Sequence, residues 1–253
     1  MQIAFLAVKW GCVSLGGFDE KTKKRHSWKH WVSLTIFLLL LIISLSLIFN
    51  QQIKDYLVGS YHPEISQTKI NSNTKKSGNF NFKKVKSLDL QMIAKARAKK
   101  NALHVVGAIS IPAIKMNLPI AKGVDNYTLA LAAGTMRDDQ KMGQGNYPLA
   151  GHHMNSHKIL FSPLYWKSKV GQKIYLTDLK KVYEYKTTEK TYIAATRVDV
   201  VENTPGQNII TLVTCDATGE GRLMVRGKLV KKMAYKEAPK SVQNNFAKSF
   251  KNK

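Results

Sequence analysis

The sequence predicts a mainly β domain with short helices, set behind a single N-terminal membrane-spanning helix. Two features carry this reading. Trp31–Phe49 is an apolar run of 19 residues without one charge. Beyond Leu103, short runs of alternating apolar residues are separated by Gly, Pro, Asn and Asp, the punctuation of a β domain. The 253 residues suffice for one sizeable domain with additions.

The apolar run comes first. At the α-helical rise it covers roughly 28 Å, close to the hydrocarbon thickness of a bilayer. Trp28 and Trp31 stand at one end, where interfacial aromatics anchor a span. A cleaved signal peptide fits less well, because the run is long and no A-x-A-like site follows it. The preceding flank holds Lys21, Lys23, Lys24, Arg25 and Lys29, whereas the near following flank holds Lys54 balanced by Asp55. The positive-inside rule then puts the N-terminus in the cytoplasm and the rest of the chain outside. This gives a cytoplasmic tail over 1–30, an anchor over 31–49, an external linker over 50–100 and a folded domain over 101–253. Residues 1–18 open on a short apolar stretch with no assigned role.

Lys and Arg number 40 against 16 Asp and Glu, for a formal charge of +24. The excess is spread through the whole chain, and no dense basic tract interleaved with aromatics appears. A nucleic-acid groove is therefore not expected. An anionic cell envelope is the simpler electrostatic neighbour. Two cysteines, Cys12 and Cys215, exclude a disulfide-rich scaffold and a cysteine-based zinc cluster.

Residues 60–86 read as a polar linker, and Ser87–Lys100 as a short helix with Asp89 in its first turn and Leu90, Ile93, Ala94 and Arg97 on one face. Eight strands are then expected: 106–111, 115–120, 146–150, 173–177, 181–186, 191–198, 209–213 and 223–230, with helical turns near 127–133 and 159–167. Ile209–Val213 is continuously apolar, so it reads as a central buried strand. Many short strands with little helix make a barrel or a sandwich. Phe246 and Phe250 in the basic tail are candidate packing residues.

Cys215 directly follows the buried run in T-L-V-T-C-D. A lone cysteine is most often an inert buried hydrophobe, but one just past a central strand emerges where loops build sites. His152, His153 and His157 cluster in one segment. They lack nearby carboxylates and a helical frame, which disfavours a metal site. A histidine paired with Cys215 would generate a thiolate. Arg222 lies seven residues past Cys215, placed to return a cation toward it across a hairpin. Arg226 shares that face but lies about 13 Å along the strand. No P-loop, G-x-G-x-x-G or paired-carboxylate site is visible.

T-L-V-T-C at Thr211–Cys215, A-G-H at Ala150–His152 and an Arg seven past the Cys resemble the sortases, membrane-anchored cysteine transpeptidases of Gram-positive bacteria. The resemblance runs from about Gly107 to Val230 and includes GAISIPAIKMNLPIAKGV, Gly134–Met136 and YPLAGHHM. It is similar to class A, the housekeeping type of streptococci and lactobacilli. It implies an eight-stranded sortase barrel, with 101–253 as the catalytic domain and no cofactor. It implies Cys215 as nucleophile on the Thr carbonyl of an LPxTG-type signal, His152 as acid and then base, and Arg222 as oxyanion or substrate clamp. Thr214, His153, Val200, Val201 and Met136 are the implied substrate contacts. The partners implied are LPxTG-bearing surface proteins and the amine of a peptidoglycan precursor such as lipid II; the shared anchor leaves room for a homodimer.

Calcium-stimulated members carry a carboxylate cluster before A-G-H. Here the loop reads TMRDDQKMGQGNYP, with Arg137, Gln140 and Gln144 among its residues, so no calcium requirement is expected. Alternatives of other classes are a surface cysteine hydrolase using the same pair, and a non-catalytic anchored protein that binds wall polymer. A pilin-polymerising sortase is a narrower option, which would need a lid such as Ser60–Lys86 over the site.

Overall fold

A computed structural model describes residues 28–82, 85–99, 103–216 and 218–247. The chain divides into two compact units, 1–45 and 46–253. In the first, helix α1 (Trp28–Ile48) is long and apolar enough to cross a membrane, and no residue of it is buried. Its Leu, Ile and Phe side chains face outward all round, which water would penalise and lipid would not.

The second unit begins with helices where a linker was expected. Helix α2 (Asn50–Gly59) packs on α4 (Leu90–Ala98), and Arg97 donates to Leu57 O and to Ser60 Oγ. Helix α3 (Gln67–Thr74) starts at the N-cap Ser66, buries Ile70 and lies on strand β1. One buried isoleucine, the serine cap and a hydrogen bond from Asn73 to Val105 O at 3.0 Å dock it, although its composition is that of a solvated segment. Asp89 caps α4 by accepting from Met92 N at 2.6 Å. The buried face of α4 is Ile93 and Ala96, while Ala94 points to solvent.

The eight strands close into a barrel in the order β1-β2-β3-β4-β7-β8-β6-β5. They are β1 (Val105–Ile111), β2 (Met116–Ala121), β3 (Ala133–Thr135), β4 (Asn146–Ala150), β5 (Lys173–Thr177), β6 (Lys181–Ala194), β7 (Ile209–Cys215) and β8 (Gly221–Ala234). The count agrees with the sequence reading, but the membership differs. The two strands expected at 181–186 and 191–198 are one 14-residue strand, β6, whose register shifts between Thr187 and Glu189. The eighth place goes to β3, whose three residues show no periodicity to read. Short helices α5 (Asn126–Leu131) and α6 (Ser162–Lys167) match the turns expected near 127–133 and 159–167.

Inside the barrel, Ile109, Ile111, Leu149, Ile174, Leu176, Tyr185, Ile210, Leu212, Leu223 and Val225 form one core. Helix α7 (Lys240–Ala247) covers another patch, where Val242 and Phe246 pack with Ala108, Tyr175, Val182 and Met233. Phe250 lies outside the described residues. Two pairings are parallel, β2–β3 and β4–β7. The second of these brings the A-G-H and T-L-V-T-C segments side by side.

Candidate active site

Side chains alternate along β7. Ile210 and Leu212 point into the barrel core, and Val213 belongs to a separate apolar cluster outside it. Cys215 shares the outer face with Val213 and Thr211. On β8, Arg222 stands directly opposite Cys215, Met224 opposite Val213 and Arg226 opposite Thr211. The partly exposed Cys215 therefore sits at the rim of the barrel, at the head of a row that continues into a buried apolar cluster.

His152 reaches the same rim along β4. Ala150 pairs with Val213, and Gly151 N donates to Val213 O at 3.1 Å. That register, extended by two residues, brings His152 level with Cys215 on a strand roughly 5 Å away. Gly151 is needed here: a Cβ on it would come within 2.5 Å of the Phe161 ring. Phe161 packs beneath the segment and its N–H donates to His152 O at 3.1 Å. The imidazole is partly exposed, yet its Nε2 is buried with no hydrogen-bond partner among the described residues. Desolvation pushes its pKa down to about 4. An imidazole so held is neutral at pH 7, and its Nε2 is engaged by no competing hydrogen bond among the described residues.

Arg222 donates from one terminal nitrogen to Gly219 O at 3.0 Å and Gly221 O at 2.8 Å, so its guanidinium is folded onto the β7–β8 turn. The turn is built by Asp216. Its carboxylate accepts from Thr218 Oγ1 at 2.9 Å, Gly219 N at 2.7 Å, Gly221 N at 3.0 Å and Thr218 N at 3.1 Å. Desolvation raises the Asp216 pKa, but these hydrogen bonds outweigh it and hold the carboxyl below its usual range.

The apolar cluster beside Cys215 contains Met136, Val200, Val201, Val213 and Met224, with Val85, Ala150 and Ile193 packed against it. Three of the expected substrate contacts, Met136, Val200 and Val201, thus lie in one buried cluster with Val213, two residues before the thiol. Two others do not. Thr214 points to the inner face, is 3% exposed and donates its hydroxyl to Gly151 O at 2.7 Å. It ties the His152 segment to β7 and offers no side chain to a substrate. His153 turns toward α6, stacking on Tyr165 with ring centroids 4.7 Å apart, and its Nδ1 lies 3.3 Å from Asp216 O.

Val200 and Val201 ride on a 3-10 turn (Val198–Val201) whose anchors the sequence reading missed. Asn146, fully buried, donates to Val200 O and Glu202 O, each at 2.9 Å, and its Oδ1 accepts from Thr211 Oγ1 at 2.9 Å. Arg137 donates to Val201 O and to Asn203 Oδ1, each at 3.0 Å. Arg226 reaches Val200 O at 3.4 Å and Thr211 Oγ1 at 3.4 Å, so it braces the turn rather than competing with Arg222. The one sequence hint was a buried asparagine opening a strand of otherwise apolar residues.

The residues here do not fit a calcium ion. Asp138 is paired with Lys122 at 2.7 Å and Asp139 with Arg137 at 3.0 Å. Among the described residues no group of three or more His, Cys, Asp or Glu is arranged to hold a metal.

A barrel-rim cysteine with an arginine opposite it on β8 and a histidine following β4 is compatible with acyl-transfer chemistry, and comparison narrows the class. The sortase domain family matches residues 109–230. The chain is 39% identical over 239 residues to sortase A of Streptococcus agalactiae, across 90% of this chain and 96% of that protein. It is 42% identical over 218 residues to sortase A of Listeria monocytogenes, across 81% of this chain and 97% of that protein. A solved structure of the Listeria enzyme superimposes with a TM-score of 0.52 at 45% identity, covering 56% of this chain and 96% of that one. The chain belongs to the sortase family, and class A fits both relatives. It is a cysteine transpeptidase of the cell-wall-anchoring kind.

Proposed function

We propose that Cys215, His152 and Arg222 carry out the transpeptidation, on LPxTG-type signals of surface proteins. The observation that supports this best is the parallel β4–β7 register, which sets His152 beside Cys215 while β8 sets Arg222 across from it. The Cys215 thiolate adds to the Thr carbonyl of the signal and forms a C–S bond. The Arg222 guanidinium, swung off the turn carbonyls, stabilises the oxyanion. His152 protonates the departing Gly nitrogen as the C–N bond breaks. An acceptor amine then adds to the thioester carbonyl. The new C–N bond forms, Cys215 leaves as thiolate, and the proton lost by the amine passes to His152. Burial keeps the His152 imidazole neutral at rest, so the proton it delivers to the Gly nitrogen is the one it takes from the Cys215 thiol.

The apolar row formed by Met136, Val200, Val201 and Val213 supports a site for the signal's Leu and Pro. The acceptor is the amine of a peptidoglycan precursor such as lipid II. Helix α1 anchors the chain with its N-terminus in the cytoplasm and residues beyond about 50 outside, by the basic residues before the span. The test is an internally quenched LPxTG peptide, with and without triglycine, on wild type and Cys215→Ala. Cleavage that requires Cys215, with product joined to the amine, is the expected result. Free acid alone would mean a hydrolase. No cleavage by either chain would overturn the assignment of this signal.

A further inference from the structure

Five rings cluster at the same rim, on the side away from the apolar row. His153 stacks on Tyr165 at 4.7 Å, His157 stacks on Trp166 at 4.1 Å, and Tyr165 meets Trp166 edge-on at 4.8 Å and Tyr192 edge-on at 6.2 Å. Trp166 is 49% exposed and Tyr192 58%, so the assembly presents ring surface to solvent instead of burying it. Its place relative to the thiol is fixed by register. Cys215, Arg222 and Ile193 form one row across β7, β8 and β6. Ile193 packs into the apolar cluster of Val200 and Val201. Tyr192, one residue earlier on β6, faces the other way, toward Tyr165. His153 closes the link, since it follows His152 directly and touches Asp216, the residue after Cys215.

We propose that these rings form the subsite for the acceptor, which they hold by its cationic amine end. The inference rests on the transpeptidase reading above and names where its second substrate binds. A chain of charge +24 repels an ammonium group at long range. Asp216, whose backbone His153 touches, has its carboxylate committed to the turn by Thr218, Gly219 and Gly221. Open aromatic faces attract a cation through their quadrupole without adding a charge. The geometry also separates the two substrates. The acyl donor lies along the outer face with Val200 and Val201, and the acceptor approaches the thioester from the opposite face of the same sheet rim.

The test uses the full chain in detergent micelles, with Trp166→Ala, Tyr192→Ala and the pair. Peptide cleavage is followed without acceptor and against rising triglycine. Each alanine raises KM for triglycine about two- to fivefold, while hydrolysis, which uses no acceptor, moves less than about twofold. Trp166→Phe restores most of the loss. Tetramethylammonium chloride lowers the joined product more than equal sodium chloride does and leaves hydrolysis alone. An unchanged KM for triglycine, or equal loss of hydrolysis and aminolysis, overturns the proposal. A wild-type chain that cleaves no peptide counts against the sorting-signal reading. The subsite is then decided by fluorescence, as the emission lost in Trp166→Phe is quenched by tetramethylammonium if the rings bind cations and unmoved if they do not.

Discussion

Cys215 and Arg222 face each other directly across the β7–β8 pair, but the guanidinium is turned onto Gly219 O and Gly221 O at the turn beyond them. The fold fixes the backbone distance between the two and leaves the side chain one swing from the thiol. Arg222→Ala is expected to lower kcat about 10²–10³-fold with little change in KM for the peptide, the loss seen when one oxyanion donor is removed. Arg222→Lys recovers only part of it, because an ammonium lacks the planar fork that can serve substrate and turn together. Steady-state kinetics on the quenched peptide decide it. A loss confined to KM would assign Arg222 to ground-state binding instead.

Asn146 holds the Val200–Val201 turn from below. Asn146→Ala leaves Thr211 Oγ1, Val200 O and Glu202 O without their buried partner, at a cost of about 1–3 kcal/mol per unsatisfied group. The midpoint of urea unfolding should fall, and KM for the peptide should rise in the fraction that remains folded. A variant as stable as wild type would mean that water or Arg226 takes over these bonds.

Arg137, paired with Asp139 in its own loop, bridges the loop before β4 to the same turn through Val201 O and Asn203. With its carboxylates already paired to side-chain cations, the loop needs no divalent ion to be ordered. Activity should be the same in calcium and in excess chelator. Arg137→Ala should raise KM for the peptide, and calcium should not restore it. A large loss of wild-type activity on chelation would refute this account.

These residues also mark the limits of sequence reading. T-L-V-T-C and A-G-H were legible because a run such as Ile209–Val213, buried on both faces, has one simple pattern, and because the chemistry-bearing residues follow such runs directly. β6 was split in two because Thr187, Thr188, Glu189 and Lys190 are polar, and a register shift there breaks the alternation while the ladder continues. α3 was hidden because it buries only Ile70 and docks otherwise through polar contacts, such as Asn73 donating to Val105 O. Asn146 and Arg137 were opaque for a different reason. Apart from Asp139, their partners lie more than 50 residues away along the chain, and several are backbone carbonyls, which leave no trace in side-chain composition. The inward turn of Thr214 follows from strand alternation, which its place next to Cys215 in the sequence does not reveal.

Gly151→Ala isolates the packing beneath His152. The added methyl meets the Phe161 ring, so either the ring or the segment must move. Overpacking of this kind costs about 1–3 kcal/mol, and a displacement of the imidazole should lower kcat more than it changes KM. Gly151→Ala combined with Phe161→Leu, which makes room, should recover part of both losses. No recovery would show that the backbone of Gly151, rather than the space beside it, is what the site requires.

His152 links the site to acid stability. Its folded pKa is pushed down to about 4, below the ordinary value of 6.5, by burial. Above pH 6.5 the imidazole is neutral in both folded and unfolded chains and contributes no pH dependence. Between 6.5 and about 4 the unfolded chain binds the proton and the folded chain does not, so stability falls as pH falls. Below about 4 the loss is complete, at an upper limit of about 3 kcal/mol that the partial exposure of the ring reduces. His152→Gln cannot titrate, and its unfolding free energy should decline less than that of wild type over this window. Chemical denaturation of both chains at pH 7, 5.5 and 4 measures the difference. Parallel declines would mean that solvent reaches Nε2 and that burial does not set the protonation state of the site.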